Sequence, residues 1–396
     1  MTNSLLQLRG LDEFFPLRVA AGTLFTAILI SYLPVTYACT ENSLPSLRFI
    51  GQQQLEHKQQ FQESTVGGLS GIDYDPASGT WILVSDDRSD FNAARFYTAS
   101  LDYDEDTFKE LVLQDVIYFR QQNTKPYPNR RQGGEIADIE DIRFDPSDST
   151  IWYISEGDRK RRLNPFIRQA TQEGDFISEF PVAPMFIMQA EREAGPRHNL
   201  AFEGLSFSQD KQSLWVAMEA PLWQDGPVPT ASAGGMVRLT QYSRQGEVIN
   251  QVAYPVDAIP EAPAKGKFAD NGVTAMLALD DKRFLVVERA AVQNDKGEFH
   301  NFIRIYAADI SQASDISAIA SLTATSEYQP VTKELLLELT PLTVAVPDNI
   351  EGIAWGPLLD NGNKSLVLVS DDNFNRSQIT QFLAFELKTA AECTSP

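Results

Sequence analysis

The sequence predicts an all-β protein, a β-propeller of four-stranded blades, and three observations point to this fold class. Two short apolar strands separated by a turn recur five times along the 396 residues, about every 70 positions. An acidic residue ends each pair, sixteen residues after its start or twenty in the last copy. A third apolar strand follows each pair. Repeats of this length and content are typical of propellers, in which one repeat forms one blade.

The first element in the chain, residues 1–38, is predicted to be a signal peptide. Arg9 and Arg18 precede an apolar run at residues 19–33, and the small residue Ala38 offers a cleavage site. An uncleaved membrane anchor is the alternative, although the run is shorter than the roughly 20 residues of a spanning helix. Residues 36–39 also resemble a bacterial lipoprotein signal. We expect an exported protein, periplasmic or extracellular, that is free or held by this segment.

Residues 39–396 are predicted to form one domain, because no linker interrupts the repeats. The chain has two cysteines, Cys39 and Cys393, and they lie at the two ends of this domain. In an oxidising compartment such a pair is expected to form a disulfide bond. The bond would join the first and last segments of the propeller.

The five repeats define the first two strands of each blade. Their first positions are Ser70, Glu140, Glu203, Gly272 and Glu351, and their closing acids are Asp86, Glu156, Glu219, Glu288 and Asp371. Turn-forming residues separate the two strands, for example at residues 75–79 and 145–148, so each pair is predicted to be a hairpin.

The outer strands are predicted from the apolar segments that follow each hairpin. Third strands are expected at residues 95–98, 166–168, 236–239, 302–306 and 381–385, and fourth strands at 176–180 and 247–252. The last copy lacks a fourth strand, and residues 47–51 are expected to supply it and close the ring. A sixth, diverged blade within residues 109–131 or 310–341 is the alternative to five blades.

The repeated acids are predicted to form one ring of carboxylates at a mouth of the central channel, because equivalent positions of the blades converge there. Carboxylates at close range need protons, arginines or a cation, and hard oxygen ligands favour Ca²⁺ or Mg²⁺. The candidate metal ligands are Asp86, Glu140, Glu156, Glu203, Glu219, Glu288, Glu351 and Asp371. In the alternative interpretation each acid is structural, and caps a neighbouring backbone or pairs with an arginine.

Seven arginines follow the closing acids and are candidates for binding an anionic substrate. The guanidinium group binds carboxylate or phosphate through two parallel hydrogen bonds. The candidates are Arg88, Arg95, Arg168, Arg238, Arg289, Arg304 and Arg376. A mouth that holds both acids and arginines could bind a metal together with a small anionic ester.

Several other kinds of function are excluded. A net charge of −21 without a basic stripe argues against a nucleic-acid partner. No serine nucleophile elbow is present, and the three histidines, His57, His198 and His300, lack zinc-ligand spacing. No phosphate-binding glycine loop or dinucleotide motif occurs. The sequence predicts no membrane contact beyond the N-terminal segment, and no oligomeric state.

The repeat resembles the phytase-like family, described as having esterase-like activity, and through it the calcium-dependent β-propeller phytases. The resemblance rests on residues 67–71, 199–205 and 349–353 and spans roughly residues 66–387. It implies that Glu203 and Glu219 hold a metal, followed by Glu140 and Glu156. The Asp-Asp-Pro-Ala segment of the true propeller phytases is absent, as is their cluster of phosphate-binding basic residues. Phytate is therefore not implied as the substrate.

The resemblance implies a hydrolase of phosphoric or carboxylic esters that uses Ca²⁺, or Mg²⁺, at the acidic mouth. A metal ion there would neutralise the ester and lower the pKa of the attacking water, with arginines stabilising the developing charge. No individual residue is assigned as catalytic. The alternative is a non-catalytic secreted propeller that serves as a binding or scaffold module, because one fold hosts many functions.

Overall fold

The structure is a computed structural model that describes residues 45–323, 325–339 and 347–388. These residues form five sheets of four antiparallel strands and one two-stranded hairpin. The only helices in this part of the chain are the short 3₁₀ turns Arg159–Arg161, Pro184–Phe186 and Trp223–Asp225. The predicted all-β propeller with five blades is confirmed.

The strands are longer than the apolar runs of the sequence. In chain order they are β1 (Ser46–Leu55), β2 (Gln60–Phe61), β3 (Ser64–Thr65), β4 (Leu69–Asp75), β5 (Thr80–Ser85), β6 (Arg95–Tyr103), β7 (Phe108–Tyr118), β8 (Ile139–Asp145), β9 (Thr150–Ser155), β10 (Phe166–Ala170), β11 (Phe176–Glu179), β12 (Phe202–Phe207), β13 (Ser213–Met218), β14 (Gly235–Ser243), β15 (Val248–Val256), β16 (Ala269–Ala278), β17 (Arg283–Gln293), β18 (Phe299–Asp309), β19 (Thr332–Glu338), β20 (Ile350–Leu358), β21 (Lys364–Ser370) and β22 (Thr380–Lys388). Strands β4–β7 form blade 1, β8–β11 blade 2, β12–β15 blade 3 and β16–β19 blade 4, while β20, β21, β22 and β1 form blade 5.

The N-terminal strand closes the ring, as predicted. Strand β1 pairs antiparallel with β22, from Ser46 opposite Lys388 to Leu55 opposite Thr380. The Arg48 guanidinium lies beside the buried Glu386 carboxylate and strengthens the same seam. The last blade therefore contains strands from both ends of the described chain.

The alternative of a sixth blade is wrong for the described residues. Residues 109–131 contribute the outer strand β7 of blade 1, and residues 310–341 contribute the outer strand β19 of blade 4. Both strands were missed because their side chains are largely exposed on one side, which leaves a weak apolar pattern.

The core lies between the blades. Second strands are buried on both faces, which explains their continuous apolar runs; every residue of β13, for example, is buried. Trp152 and Trp215 occupy the same position in two of these strands, four residues before the closing acid, and both are buried. The Trp215 ring packs against Phe284 of the next blade, with the ring centroids 5.1 Å apart. The repeat therefore stacks sheet on sheet around the ring.

Each inner strand carries a β-bulge. It lies one residue after the start of β4, β8, β12 and β20, and in the middle of β16. The pairing of the first two strands shifts at Leu69/Gly71, Ile139/Asp141, Phe202/Gly204, Val273/Ala275 and Ile350/Gly352. A bulge leaves one residue unpaired and re-aims its side chain, and bulges are frequent next to functional sites. The bulged residues are Ser70, Glu140, Glu203, Thr274 and Glu351.

Arg143 spans the channel below these bulges. Its guanidinium donates hydrogen bonds to the backbone oxygens of Ile72 in blade 1, Leu205 in blade 3 and Met276 in blade 4. The side chain is buried and also pairs with Asp141, at 2.9 Å. It therefore ties three inner strands to its own across the middle of the ring.

The predictions for the two ends of the chain concern residues outside the described part. The predicted signal peptide at residues 1–38 and the predicted Cys39–Cys393 bond stay predictions. Within the described residues, no helix has the length and apolar character needed to span a membrane.

Candidate functional site

The bulges and the ends of the second strands bring most of the predicted acids to one mouth of the channel. Three acids are bulge residues of inner strands, and the others directly follow β5, β9, β13 and β21. Their backbones are equivalent, because the amide of each second-strand acid donates to the residue two before the bulge, as in Asp86 to Gly68 and Glu156 to Asp138. The acids brought together are Asp86, Glu140, Glu156, Glu203, Glu219, Glu351 and Asp371.

Blade 4 departs from the predicted alignment by two residues in its first strand and by one in its second. Its bulge lies at Thr274 and not at Gly272, so Arg289 and not Glu288 takes the position of the closing acid. Arg289 Nη2 lies 3.2 Å from Glu219 and 3.7 Å from Glu351, and Nη1 lies 3.7 Å from Asp270. The ring of carboxylates is therefore interrupted by one arginine.

Glu288 is not brought to this mouth, which corrects the prediction. Its carboxylate accepts hydrogen bonds from the Tyr254 hydroxyl, at 2.9 Å, and the Asn271 amide, at 3.1 Å. It also pairs with Lys333. These partners satisfy a buried charge between blades 3 and 4, so the interpretation of a structural acid applies to Glu288.

Asp138 joins the site and was missed from the sequence. One oxygen from each of Asp138, Glu140 and Glu156 lies within 4.8 Å of the other two, and all three residues are buried. Asp138 Oδ2 accepts from Arg88, whereas its Oδ1 is buried without a hydrogen-bond partner. Its place two residues before Glu140, at the start of the same strand, is the signal that could have found it.

The carboxyl groups at the mouth have raised pKa values. Burial, and then neighbouring carboxylates, raises the pKa well above the usual range for Asp86, Glu140, Glu156, Glu203 and Asp371. Burial also raises the pKa of Glu219, to about 8, although Arg289 opposes the shift. Some of these acids therefore retain protons at neutral pH unless a cation replaces them.

Two of the seven candidate arginines reach the mouth. Arg88 pairs with Asp138 and lies 3.5 Å from Glu156. Burial alone would lower the pKa of Arg88, but Asp138 raises it above its ordinary value. Burial likewise opposes the charge on Arg289, and Asp270 and Glu219 raise its pKa. Both guanidinium groups are therefore fixed positive charges among the acids.

The other five arginines lie elsewhere. Arg95, Arg238 and Arg304 pair with Asp87, Asp225 and Asp257, so these third-strand arginines hold the loops between strands. Arg168 binds Glu135 and Glu179 on the outer part of blade 2. Arg376 is exposed in the loop after β21. In four of these positions the guanidinium has a structural partner.

An open cavity of about 630 Å³ lies over the blade 3 to blade 5 side of the ring. Its floor contains Glu219, Asp270, Arg289 and Glu351, and Arg289 Nε is buried there without a hydrogen-bond partner. His198 lies at its edge, and its Nδ1 also lacks a partner. Burial and then Lys160 lower the pKa of His198, so its imidazole is neutral at pH 7.

The donor set fits a hard divalent cation. Asp138, Glu140 and Glu156 offer three clustered carboxylates, and the unpartnered Asp138 Oδ1 is a buried acceptor that a cation would satisfy. Oxygen-only ligands of this kind suit Ca²⁺ or Mg²⁺. The arrangement could bind a metal at one side of the ring and an ester in the cavity at the other.

Comparison with known proteins adds a family match. The family model described as "Phytase-like: Esterase-like activity of phytase" matches residues 64–374. No curated protein matches the chain at a significant level.

Several solved structures align with the chain at low identity. A thermostable family-43 glycoside hydrolase is 9% identical with a TM-score of 0.41, and the alignment covers 85% of this chain and 97% of that one. The periplasmic gluconolactonase of Pseudomonas aeruginosa is 11% identical with a TM-score of 0.34, over 88% of this chain and 100% of that one. The Dos1 propeller is 8% identical with a TM-score of 0.30, over 79% and 67%. At these TM-scores none of the three carries an argument about function.

Proposed function

The chain belongs to the phytase-like family, described by its esterase-like activity, and from that premise we propose a hydrolase of phosphoric or carboxylic monoesters. The reaction takes place at the carboxylate-lined mouth. One observation carries the proposal: buried acids with raised pKa values surround an open cavity in which Arg289 has an unpartnered Nε–H. A site with this much unsatisfied polarity is a better candidate for chemistry than for structural support.

The proposed cofactor is Ca²⁺, with Mg²⁺ as the alternative, held by Asp138, Glu140 and Glu156. A bound divalent cation supplies charge neutralisation and a water of lowered pKa. Glu203 lies next to this triad, since Glu140 and Glu156 are among the charges that act on it. The pair Glu203 and Glu219, implied as the best ligands by the family resemblance, is therefore proposed to support the metal site from the neighbouring blade.

The chain's own residues divide the remaining tasks. Arg289 lines the cavity, and its guanidinium binds the ester and stabilises the negative charge that develops on the ester oxygen. Glu219 lines the cavity and holds a proton near neutral pH, so it donates that proton to the leaving alcohol oxygen. His198 lines the cavity as a neutral imidazole, and the imidazole accepts the proton of the attacking water. Water is thereby added across the ester bond.

The alternative function is a non-catalytic binding or scaffold propeller with structural acids. The pairing of Arg88 and Arg289 with carboxylates favours this alternative. However, two arginines face a larger set of acids, namely Asp86, Asp138, Glu140, Glu156, Glu203, Glu219, Asp270, Glu351 and Asp371. The excess of negative charge favours a site for a cation.

The test combines metal binding with hydrolysis. We expect chelation to lower the melting temperature of the protein and added Ca²⁺ to restore it, because ligand binding to the folded state stabilises it. Asp138→Asn and Glu140→Gln should lose this response and lose hydrolysis of phosphate and acetate monoesters. Glu288→Gln is the matched control, a buried acid away from the mouth, and should keep the response.

Two results would separate the functions. Calcium-dependent stabilisation with hydrolysis of either ester supports the enzyme. Absence of both a metal response and hydrolysis would reject it in favour of the binding propeller.

A further inference from the structure

Blade 4 extends beyond the mouth further than the other blades. Strand β17 continues for four residues past Arg289, to Gln293. The equivalent strands β5, β9, β13 and β21 end one residue before their acids. The flanking strands lengthen with it, since Ala269 pairs with Val292 and Gln293 pairs with Phe299. The extension forms a wall on one side of the cavity, directly above Arg289.

The wall presents two phenylalanines to the cavity. Phe268 and Phe299 are each 51% exposed, and their rings form an edge-to-face pair with centroids 6.2 Å apart. Backbone geometry fixes Phe268, because Gln293 N–H donates to its carbonyl at 2.9 Å. Val228, 37% exposed, lies on the loop after β13 and also lines the cavity. Clustered exposed apolar groups of this size commonly mark binding sites.

The floor of the same cavity is selective by charge. Of the described residues that line it, Arg289 is the one cation that is always charged, and it is surrounded by Glu219, Asp270 and Glu351. One ester head group with at most a small negative charge can reach Arg289. A polyanion would meet the carboxylates, which repel it. The cavity therefore combines a polar floor for one ester group with an apolar wall.

We propose that Phe268 and Phe299 bind an aromatic or similarly bulky apolar group of the substrate while its ester group lies on Arg289. The substrate class is thus a monoester of an apolar alcohol or acid, and not a polyphosphorylated polyol. Val228 closes the opposite side of the apolar group. This inference rests on the proposed function and specifies its substrate.

The experiment compares the hydrolysis of benzyl and methyl esters of the same acid. The first pair is benzyl and methyl phosphate, and the second pair is benzyl and methyl acetate. The two alcohols have similar acidity, so the ratio of their kcat/KM values reports binding of the ring. We expect a benzyl to methyl ratio of about 10 or more, from burial of one aromatic group. Phe268→Ala/Phe299→Ala should lower that ratio about tenfold. Phe91→Ala is the matched control, since Phe91 is 47% exposed and stacked on Phe374 but does not line the cavity.

A binding measurement tests the apolar subsite separately from the proposed hydrolysis. Benzylphosphonate and methylphosphonate cannot be hydrolysed, and their dissociation constants are measured by calorimetry on the same variants. If benzylphosphonate binds about tenfold tighter and loses this preference in the double variant, the apolar subsite holds even where no ester is hydrolysed.

Three results would overturn the inference. Hydrolysis with a benzyl to methyl ratio near 1 would leave the enzyme standing without the subsite. A ratio that the double variant does not change would place the ring elsewhere. The third result is self-association of the protein in sedimentation that the double variant abolishes and the Phe91→Ala control does not. If the benzyl to methyl ratio is unchanged as well, the phenylalanine pair forms a contact between copies of the chain.

Discussion

Arg289 stands where four blades carry an acid, and this single residue changes the electrostatics of the mouth. It lies within 3.7 Å of three carboxylates and supports their ionised forms. On the far side of the ring Glu140 has no arginine among its strongest electrostatic neighbours, and burial and nearby acids raise its pKa well above the usual range. The Arg289 side of the ring therefore has a cation that opposes the rise in pKa of Glu219 and Glu351, whereas Glu140 on the other side depends on protons or a metal.

The protons held at the mouth predict a dependence of stability on pH. The pKa of Glu219 is raised from 4.5 to about 8, so between these values the folded state binds a proton that the unfolded state has lost. Stability therefore falls as pH rises through this window, by about 1.4 kcal/mol per pH unit for each retained proton. Chemical denaturation of chelated protein from pH 5 to 8 measures the slope.

Two comparisons test the origin of that slope. Glu219→Gln, which cannot ionise, should reduce it, and saturating Ca²⁺ should reduce it as well because metal binding replaces protons. A stability that rises with pH in chelated protein would contradict the prediction.

At this scale the sequence predicts most of the site, misplaces Glu288, and misses two acids, Asp138 and Asp270. Seven of the eight predicted acids lie at the mouth because the repeat places them at equivalent positions. The error in blade 4 comes from the bulge at Thr274, which shifts the strand by one residue and exchanges Glu288 for Arg289. Asp138 has no acidic counterpart in the other blades, so a search for repeated acids passes over it.

At the scale of elements, the inner strands pack closely enough to require small residues. A Cβ on Gly204 would lie 2.9 Å from the backbone nitrogen of Met276 in the next blade. A Cβ on Gly71 would lie 2.8 Å from the Asp141 Cα in the same way. The close packing of the inner strands therefore depends on glycine at the residue after the bulge in blades 1 and 3.

Gly204→Ala is expected to destabilise the protein by about 3 kcal/mol, since the neighbouring backbone cannot move aside without separating two blades. The control is Gly133→Ala, where a Cβ meets no atom within 4 Å but the backbone has a φ of +69°. The control should cost about 1 kcal/mol. Denaturant unfolding measures both, and equal losses would show that contact between the blades is not the cause.

The sequence predicts the inner hairpins of the blades better than the outer strands. Hairpins of first and second strands are identified because continuous burial makes their apolar runs plain, as in β13. Outer strands such as β7 are half exposed and mostly polar, so their pattern is weak. The extension of β17 past Arg289 continues the apolar run with Ala290, Ala291 and Val292, and no turn former marks where the other blades would have stopped.

At the scale of the whole molecule, ring closure depends on a pairing between the two ends of the domain. Strand β1 is the outer strand of blade 5, so the first and last described segments lie side by side, with Ser46 opposite Lys388. Cys39 lies seven positions before Ser46, and Cys393 lies five positions after Lys388. Chain segments of this length can bring the two sulfur atoms together, at up to about 3.5 Å per residue.

The disulfide prediction is tested on protein produced in an oxidising compartment. Thiol titration in denaturant should find no free thiol without reductant and two with it. Cys39→Ser/Cys393→Ser should lower stability by at most about 5 kcal/mol, the chain-entropy limit for so long a loop. Two free thiols in the untreated protein, or an unchanged melting temperature in the double variant, would contradict the prediction.

Arg143 determines the route by which solutes reach and leave the site. Its guanidinium is hydrogen-bonded to backbone oxygens of blades 1, 3 and 4, so it obstructs the channel between the two ends of the ring. The opposite end of the ring is a separate recess of about 310 Å³, with Arg143 among its lining residues. In the proposed reaction, substrate, water and both products therefore use the same mouth, and a departing product has to clear this entrance before the next substrate can enter.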